Sequence, residues 1–348
     1  MAEHVPKLSI IVITHNEKGF LKECLSSLQN LAYKNYEIVM IDQDSKDGSV
    51  ELVEKNFPEV RIIRNQNTGY CGGSNKGFYE TKGEYIAIVN PDTTYEKDYF
   101  DTLIKVLESD PKIGAITGKI LKATQDSDSQ PIIDTTGLLA FRNRRVVDRG
   151  QGVSDEGQFE KREEVFGVSG CIALYRRAAL KDIELPTFKS SKKKTKNSRY
   201  EVWDSDFFMY KEDIDISWRL NLRGWKCVYE PGAIAYHKRG TAVLKRYTNK
   251  EVMKHRSHIS PFAKKLSYKN QRLMQVKNET PLDILKSLPI IIWKEILTLG
   301  YIVLREPTTL ISLFKFLRAL PRALKKRHHI QKTRQINSMT RFFSNMPK

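Results

Sequence analysis

The side chains with the clearest chemical potential follow a short apolar run at residues 85–89, whose length and composition are typical of a strand buried on both faces. The run stops at Asn90 and Pro91, because proline lacks the N–H that a strand needs and disfavours helical geometry in the residue before it. Asp92 is therefore predicted just past the carboxyl end of the strand. A carboxylate there can hold a hard divalent cation, and the cation can hold phosphates. The alternative is a polar turn without a ligand.

A second candidate site lies in residues 203–225, where carboxylates alternate with aromatic side chains. Glu212, Asp213 and Asp215 fall within one turn of a predicted helix. Carboxylates crowded against apolar walls can have the raised pKa of a general base. Alternatively, these carboxylates form an exposed acidic face whose charge is balanced by the neighbouring Lys211 and Arg219.

Local signals predict where this helix and the following strands begin and end. Asp204 or Ser205 is predicted to cap the start of the helix, and Gly224 is predicted to end it. Residues 228–236 predict two short strands that a Pro-Gly pair separates, with His237 directly after them. A histidine at the end of a strand can be a metal ligand, whereas a lone histidine is more often structural or exposed.

The elements that must position these residues alternate between strands and helices. Apolar, β-branched runs predict strands at residues 8–13, 36–41, 60–63 and 85–89, and amphipathic stretches between them predict helices. This order gives right-handed crossovers and a mostly parallel sheet with helices on both faces. The predicted fold class is α/β, with a doubly wound sheet in residues 1–120.

Parallel strands bring their carboxyl ends to one edge of the sheet, where open α/β folds bind ligands. The polar residues after the strands should converge there: Thr14, Asn16, Asp42, Asp44, the glycine-rich segment 69–77 and Asp92. A nucleotide suits this crevice, because an aspartate can accept a hydrogen bond from a base or ribose and a glycine-rich turn can aim N–H groups at an anion. The GxGxxG and GxxxxGK[ST] motifs are absent at the required places, which disfavours a dinucleotide dehydrogenase and a P-loop NTPase.

The centre of the chain gives weaker signals. Residues 125–164 predict an irregular, partly β insertion, and residues 165–175 predict a further strand. Residues 189–199 are rich in Lys and Ser, which predicts a solvated loop. We hypothesise that the lysines at 192–196 meet an anionic acceptor.

The cysteines and the N-terminal residues predict a cytoplasmic protein. The four cysteines are far apart and form no CxxC pair, which is typical of reduced thiols. The N-terminal residues lack a basic stretch followed by an apolar core, so no secretory signal is predicted.

The formal net charge of +18 is concentrated in the last third of the chain, where residues 232–348 carry 25 basic and 5 acidic side chains. An anionic partner is expected, with membrane lipid as the first candidate and RNA as the second. Residues 282–304 and 310–327 predict amphipathic helices at a membrane interface, because a proline and a Lys-Glu pair disfavour a crossing by the first. The alternative is that both helices pack on the catalytic region or on a second subunit.

The predicted organisation has two parts. Residues 1–245 form a catalytic domain, with a nucleotide-binding half at 1–120 and an acceptor and catalytic half at 121–245. Residues 246–348 form a basic, helical tail that associates with the membrane.

Five sequence blocks occur in the order found in one enzyme family: SIIVITHNE, IDQDSKDGS, NTGYCGGSNKG, NPDT and FFMYKEDIDISWRLNLRGWK. With them the chain resembles a family 2 glycosyltransferase with the GT-A fold, most closely the bacterial rhamnosyltransferase-like branch, over residues 8–240. Two features depart from the family pattern. The usual Asp-x-Asp is Asn90-Pro91-Asp92 here, which leaves one carboxylate, and the Gln-x-x-Arg-Trp signature of processive synthases is absent.

The resemblance implies roles for individual residues. Asp213 would be the catalytic base with Glu212 beside it, and Asp92 and His237 would hold Mg²⁺ or Mn²⁺. The residues implied at the nucleotide and diphosphate are Thr14, Asn16, Glu17, Asp42, Asp44, Gly72, Gly73, Asn75 and Asn90. Those implied at the acceptor or donor sugar are Gly170, Trp203 and Arg219.

The resemblance also implies an activity, the inverting transfer of a sugar from a nucleotide to an acceptor hydroxyl in cell-surface glycan biosynthesis. L-Rhamnose from dTDP-rhamnose is the first expectation, and galactofuranose, glucose or galactose from a UDP-sugar is the alternative. A basic RNA-binding protein without catalysis is the alternative from a different class. The expected partners are the nucleotide-sugar, a glycan or polyprenyl-diphosphate-linked acceptor and an anionic membrane at the cytoplasmic face of the cell membrane, and a homodimer stays open.

Overall fold

A computed structural model describes residues 5–123, 130–188, 199–238 and 256–346. Strands and helices alternate through the first 89 residues as predicted. Their bounds are β1 Leu8–Thr14, α1 Lys18–Gln29, β2 Tyr36–Gln43, α2 Ser49–Asn56, β3 Arg61–Asn65, α3 Gly69–Glu80 and β4 Tyr85–Val89. β1 pairs with β2 and β4, β2 pairs with β3, and all three pairings are parallel. The prediction of a parallel sheet in this half is confirmed.

The second half of the catalytic region makes the sheet mixed. Its elements are β5 Thr93–Tyr95, α4 Tyr99–Ser109, β6 Ile113–Lys122, β7 Ile133–Thr135, β8 Leu138–Phe141, β9 Val146–Asp148, β10 Glu163–Val165, β11 Ile172–Arg176, α5 Arg177–Asp182, β12 Leu185–Pro186, β13 Tyr200–Glu201, α6 Glu212–Leu222 and β14 Lys226–His237. β11 runs antiparallel between β4 and β6, and β14 runs parallel to β6. The strand order is β10, β14, β6, β11, β4, β1, β2, β3.

Each face of the sheet has its own apolar core, because side chains alternate along the strands. Ile10 and Val12 of β1 belong to the cluster that contains the buried faces of α1, α2 and α4. Ile11 and Ile13 belong to the cluster that contains the buried residues of α3 and α6. The predicted covering of both sheet faces by helices is confirmed, and the carboxyl ends of the strands remain at one edge.

Three local predictions of element bounds are wrong. α6 begins at Glu212 instead of after Asp204 or Ser205. β14 is a single strand, because a shift of register relative to β6 between residues 230 and 234 accommodates the Pro-Gly pair. Residues 166–171 separate β10 from β11. The lysines at 192–196 lie outside the described residues.

The glycine-rich segment is a helix, α3, and the predicted turn is wrong. A Cβ at Gly77 would lie 2.5 Å from Cγ2 of Ile11, and a Cβ at Gly73 would lie 2.8 Å from Nε2 of Gln43. Since real Cβ atoms do not approach other atoms so closely, these two glycines let α3 pack against β1 and β2.

The C-terminal region returns to the catalytic region. It contains α7 Pro261–Asn278, α8 Pro281–Arg305, a 3-10 turn at Pro307–Leu310, α9 Ile311–Thr333, a 3-10 turn at Thr340–Phe342 and β15 Phe343–Ser344. β15 pairs with β8 in parallel orientation. Lys277 of α7 and Lys326 of α9 form ion pairs with carboxylates of residues 201–206. α7 and α9 therefore pack on the catalytic region; for α9, the second of the two predicted amphipathic helices, this agrees with the alternative to a membrane-bound tail.

α8 differs from its neighbours because most of its apolar side chains face outward. Leu285, Trp293 and Leu304 are 73%, 63% and 80% exposed. Its inward face carries polar contacts, such as the ion pair between Glu295 and Arg272. Among the described helices, α8 alone has the length and apolar composition of a membrane span, with a mean hydropathy of 1.6 and 11% of that window buried.

Candidate active site

Asp92 and His237 meet where β5 pairs with the carboxyl end of β14. Nε2 of His237 lies 3.2 Å from an oxygen of Asp92, and Nδ1 lies 2.8 Å from an oxygen of Asp134. A backbone hydrogen bond joins the same two segments, because the N–H of Lys238 donates to the carbonyl of Asp92 at 2.8 Å. Two residues 145 positions apart are thus held together by main-chain and side-chain contacts.

These residues fit a divalent cation. Two ligands of one Mg²⁺ or Mn²⁺ lie about 3 Å apart, because each metal–ligand bond is about 2.1 Å long. When Asp134 accepts a hydrogen bond from Nδ1 of His237, the Nε2 lone pair is directed at Asp92. Asp134, Cys171 and His237 also form a group whose donor atoms lie within 4.8 Å of one another. Sequence reasoning missed Asp134, because it lies in a stretch without clear periodicity.

Thr14 and Asp42 lie side by side at the carboxyl ends of β1 and β2. They are 1% and 4% exposed. Oγ1 of Thr14 and Oδ1 of Asp42 have no hydrogen-bond partner among the described residues. Oδ2 of Asp42 accepts from the N–H of Ser45 at 3.3 Å. Asp42 lines an open cleft of about 340 Å³ whose other walls follow β2 and β3. Its free oxygen is therefore able to accept a hydrogen bond from a bound base.

Three further residues predicted at the nucleotide lie on the rim of the same edge. Asn16 has a left-handed backbone with φ 58°, and its Oδ1 accepts from the N–H of Lys46 at 2.7 Å. Asp44 is exposed and forms an ion pair with Lys46 at 2.6 Å. Burial and the charge of Asp92 raise the pKa of Glu17 to about 7. The negative charge of Asp92 thus acts on Glu17.

Three residues of α3 were predicted at the diphosphate, and the structure argues against the contact for one of them, Asn75. Oδ1 of Asn75 accepts from both N–H groups of residues 202–203 at 2.9 and 3.0 Å, and its Nδ2 donates to a carbonyl there at 2.7 Å. Gly73 packs against the sheet, and Gly72 faces the side chain of Thr68. The protein itself therefore occupies the amide group of Asn75, whereas the diphosphate contacts of Gly72 and Gly73 stay predictions.

Asp213 lies in the first turn of α6. One oxygen accepts from the N–H of Gly170 at 3.2 Å, and the other accepts from the N–H of Ile214 at 2.8 Å. A Cβ at residue 170 would lie 3.3 Å from Asp213, so a glycine lets this strand entrance approach the carboxylate. Burial raises the pKa of Asp213, and the nearby carboxylate of Asp148 raises it further. A fixed carboxylate with a raised pKa has the properties of a general base.

Glu212 differs from its neighbour in its hydrogen bonding. Burial and the charge of Asp213 raise the pKa of Glu212 to about 8. Its Oε2 has no hydrogen-bond partner in the described part of the chain. Because two adjacent carboxylates do not ionise together easily, a proton on Glu212 favours the ionised form of Asp213.

The segment before α6 has a strained backbone. Phe208, Tyr210 and Lys211 have φ angles of 69°, 70° and 74°, in the left-handed region that such residues rarely adopt. Asn270 of α7 holds the segment, because its Nδ2 donates at 3.0, 2.8 and 2.8 Å to three carbonyls, those of Phe207, Met209 and Tyr210. A residue of the C-terminal region thus fixes the segment that presents Asp213.

Trp203 and Arg219 do not reach a ligand, and the predictions that they contact a sugar are wrong. Trp203 is 1% exposed, and its ring packs against Phe78 and Tyr175. Arg219 is 2% exposed, and it donates to Asp215 at 3.0 Å and to two backbone carbonyls. Asp215 is therefore a structural carboxylate, separate from Glu212 and Asp213.

Gly170 and Cys171 connect the two chemical centres. Gly170 donates to Asp213, and Cys171 lies in the group with Asp134 and His237. The N–H of Asn90, a half-buried residue, donates to the carbonyl of Cys171 at 2.9 Å. Because consecutive Cα atoms are about 3.8 Å apart, the candidate base and the candidate metal ligands lie on either side of one short segment.

Comparisons with known proteins point to one enzyme family. The model of the family "Glycosyl transferase family 2" matches residues 9–184. The chain is 25% identical over 234 residues to poly-beta-1,6-N-acetyl-D-glucosamine synthase of Staphylococcus aureus (strain MSSA476), a match that covers 66% of this chain and 49% of that protein. It is 25% identical over 239 residues to the synthase of the same name from Staphylococcus epidermidis, covering 67% and 50%. The chain thus spans about half the length of these curated relatives.

A solved structure with a similar fold is GalNAc-T7 with UDP, GalNAc and Mn²⁺. The TM-score is 0.51 at 14% sequence identity, and the match covers 78% of this chain and 52% of that one. At this identity the likeness concerns the fold alone.

Proposed function

The chain belongs to glycosyl transferase family 2, and we propose that it transfers a hexose from a nucleotide-sugar to a hydroxyl of a lipid-linked or polysaccharide acceptor. The observation that carries the proposal is the short segment of Gly170 and Cys171, which has Asp213 on one side and the Asp92–His237 pair on the other. Membership of an enzyme family argues against the RNA-binding alternative.

Asp213 is the proposed base. It takes the proton of the acceptor hydroxyl, and the oxygen then attacks the anomeric carbon from the face opposite the nucleoside diphosphate. One displacement inverts the configuration at that carbon. The N–H groups of Gly170 and Ile214 hold the carboxylate in position for this step. Glu212, with its raised pKa, keeps a proton and leaves the negative charge on Asp213.

Asp92 and His237 are the proposed metal ligands, with Asp134 orienting the imidazole. A divalent cation held there supplies charge that stabilises the departing diphosphate. Because the buried Asp42 can accept the ring N–H of uracil and of thymine alike, it fits both UDP and dTDP donors. L-Rhamnose from dTDP-rhamnose is our first proposal, and galactofuranose, glucose or galactose from a UDP-sugar is the alternative.

The acceptor is proposed to lie at an anionic membrane surface, on the cytoplasmic face, and to contain a lipid or a polysaccharide. The outward apolar face of α8 supports this, since large exposed apolar patches mark interaction surfaces. Exposed Lys315 and Arg318 adjoin exposed Phe314 and Leu317 at the start of α9, which suits anionic lipid. The polar inward face of α8 favours a helix that lies in the interface over one that crosses it.

A donor screen tests the proposed reaction. The full chain is incubated with Mn²⁺ and with dTDP-rhamnose or single UDP-hexoses, and the released nucleoside diphosphate is quantified. We expect release from one donor, loss of release in EDTA, and at least a tenfold decrease in Asp92→Asn, because charged ligands are the strongest contacts of a cation site. Release that persists without metal would remove Asp92 from the metal site, and no release from any donor would contradict the proposed activity.

A vesicle experiment tests the membrane proposal. The triple variant Leu285→Ser, Trp293→Ser, Leu304→Ser should lose sedimentation with phosphatidylglycerol vesicles, because the apolar face that would enter the interface is gone. Val153→Ser, an exposed apolar residue elsewhere, is the matched control and should sediment like the wild type. If the triple variant sediments like the wild type, the apolar face of α8 does not bind the membrane and instead contacts another protein surface.

A further inference from the structure

Tyr70 lies in the first turn of α3, and its side chain reaches the segment that connects the two chemical centres. Its hydroxyl donates to the carbonyl of Gly170 at 2.6 Å, across 100 positions of the chain. The N–H of the same glycine donates to Asp213 at 3.2 Å. Gly170 is therefore held at both of its peptide groups, by Tyr70 at one and by the candidate base at the other.

The carbonyl that Tyr70 contacts belongs to the peptide group between Gly170 and Cys171. A glycine has more backbone freedom than any other residue, because it lacks a Cβ. Rotation about its backbone bonds would turn its N–H away from the carboxylate of Asp213. The hydrogen bond from Tyr70 opposes this rotation and so fixes the direction in which the N–H points.

The hydroxyl of Tyr70 stays protonated while the carboxylates around it titrate. Tyr70 is half-buried, and burial raises the pKa of its phenol well above the usual value. The negative charge of Glu212 raises this pKa further. The hydrogen bond to Gly170 is therefore available whether Asp213 is charged or neutral.

The backbone of α3 makes a second contact near the base. The N–H of Cys71 donates at 3.0 Å to the carbonyl of Phe208, which lies in the left-handed segment before α6. A Cβ at Gly69 would lie 2.5 Å from a ring carbon of Phe208, so a glycine lets the start of α3 come this close. The first turn of α3 thus contacts both segments that hold Asp213.

We propose that Tyr70 is a positioning residue for the transfer reaction, which holds the carboxylate of Asp213 toward the acceptor hydroxyl through Gly170. The proposal rests on the role given to Asp213 above. Tyr70 itself exchanges no proton in the reaction.

Tyr79 provides a matched control, because it lies in the same helix and its hydroxyl also contacts other elements. That hydroxyl lies 2.9 Å from a carboxylate oxygen of Glu184 and 3.0 Å from the carbonyl of Tyr200. Tyr79→Phe therefore removes an equivalent hydroxyl from α3 and leaves the contact with Gly170 intact.

The kinetic test compares Tyr70→Phe with Tyr79→Phe in the full chain, using the donor that the wild type cleaves. Tyr70→Phe should lower kcat about tenfold and leave KM for the donor unchanged, as expected when a hydrogen bond that orients a reacting group is lost. Tyr79→Phe should keep both constants. Equal kcat in the two variants would overturn the proposal, and a change in KM alone would overturn it in favour of a role in donor binding.

The pH dependence of turnover separates positioning from a loss of stability. The N–H of Gly170 lowers the pKa of Asp213, because it stabilises the ionised form. The other groups that act on this carboxylate or adjoin it are Asp148, Lys211, Glu212 and the N–H of Ile214. None of these groups is altered in Tyr70→Phe. The pH at which turnover falls to half on the acid side should therefore rise in Tyr70→Phe and stay unchanged in Tyr79→Phe.

The same shift is measurable without turnover. In a chain labelled with ¹⁵N-glycine, the amide signal of Gly170 is identified by its loss in Gly170→Ala, and its pH titration reports the ionisation of Asp213. The midpoint should lie at higher pH in Tyr70→Phe than in the wild type and Tyr79→Phe, and equal midpoints would overturn the proposal. If the midpoint moves while no nucleotide-sugar is cleaved, Tyr70 positions Asp213 and the proposed transferase reaction fails.

Discussion

Two groups of carboxylates lie within residues 201–215 and have opposite surroundings. The paired carboxylates are Glu201, Asp204, Asp206 and Asp215, which contact Lys277, Lys326, Arg322 and Arg219. The site carboxylates are Glu212 and Asp213: Asp213 accepts from two backbone N–H groups, and Oε2 of Glu212 has no hydrogen-bond partner among the described residues. Lys277 and Lys326 are 0% and 2% exposed. The carboxylates that form ion pairs therefore stabilise the fold. The two that form no ion pair among the described residues are the candidates for chemistry.

The pKa values of Asp204 and Asp206 in the paired group are lowered, whereas those of Glu212 and Asp213 in the site group are raised. Burial favours the neutral form of Asp204, but Lys277 and Lys326 more than offset it and hold its pKa well below the usual range. Burial and a like charge raise the pKa of Glu212 to about 8. Asp204 and Asp206, whose pKa values are lowered, are therefore most stabilising above the ordinary pKa of a carboxylate, and this stability is lost in acid. The site group loses stability as the pH rises.

The largest effect on stability is expected from Lys277→Met. The change leaves Asp204 and Asp215 buried without one of their cations, and breaking a buried pair in this way costs about 3–5 kcal/mol. Urea unfolding measures the loss. Lys76→Met, which breaks an exposed pair with Glu80, is the control and should cost less than about 1 kcal/mol. If the two variants lose the same free energy of unfolding, the buried ion pairs contribute no more to stability than an exposed pair, which would contradict the role given to the paired carboxylates.

Asn270→Ala should have the next largest effect, because it removes three hydrogen bonds from the segment that separates the two groups. Leaving carbonyls without a donor costs about 1–3 kcal/mol of stability. The turnover per folded molecule should also fall, since Asp213 follows this segment directly. Urea unfolding and donor turnover together check both effects. A normal turnover in the folded fraction would show that the segment does not position Asp213.

Glu212→Gln should change the pH dependence of stability. The folded pKa of about 8 lies above the ordinary value of 4.5, so the proton stabilises the folded protein below pH 4.5, and this contribution is lost as the pH rises through 8. The wild type should lose up to about 1.4 kcal/mol for each pH unit in that range relative to the variant. Unfolding free energies at pH 5 and pH 8 measure the difference. Glu156→Gln, an exposed residue, should behave like the wild type, and an identical slope for Glu212→Gln would contradict the shift.

The sequence predicts the parallel half of the sheet well, because each strand and helix there is encoded by its own periodicity. It also predicts Asp42, Asp92, Asp213 and His237 as a set, since each follows or begins a recognisable element. The meeting of Asp92 with His237 depends on β14 continuing past its proline, which the local signal contradicts.

Long-range contacts account for most of what the sequence does not predict. The start of α6 is displaced because Asn270, some 60 positions away, stabilises left-handed residues that local propensity disfavours. The pairing of Asp204 and Asp215 depends on lysines from a region that was predicted to face lipid. Asn75 and Trp203 match the family pattern, but their side chains pack inward.

The most direct test of the account compares Asp213→Asn with Asp215→Asn, two changes of the same kind two positions apart. Donor binding, unfolding free energy and transfer are measured for both variants. We expect Asp213→Asn to fold and bind the donor but to lose about 10²–10⁴ in turnover, as the loss of a general base requires. Asp215→Asn should lose stability and keep its turnover per folded molecule. Near-normal transfer by Asp213→Asn would contradict the assignment of the base and with it the division between the two groups of carboxylates.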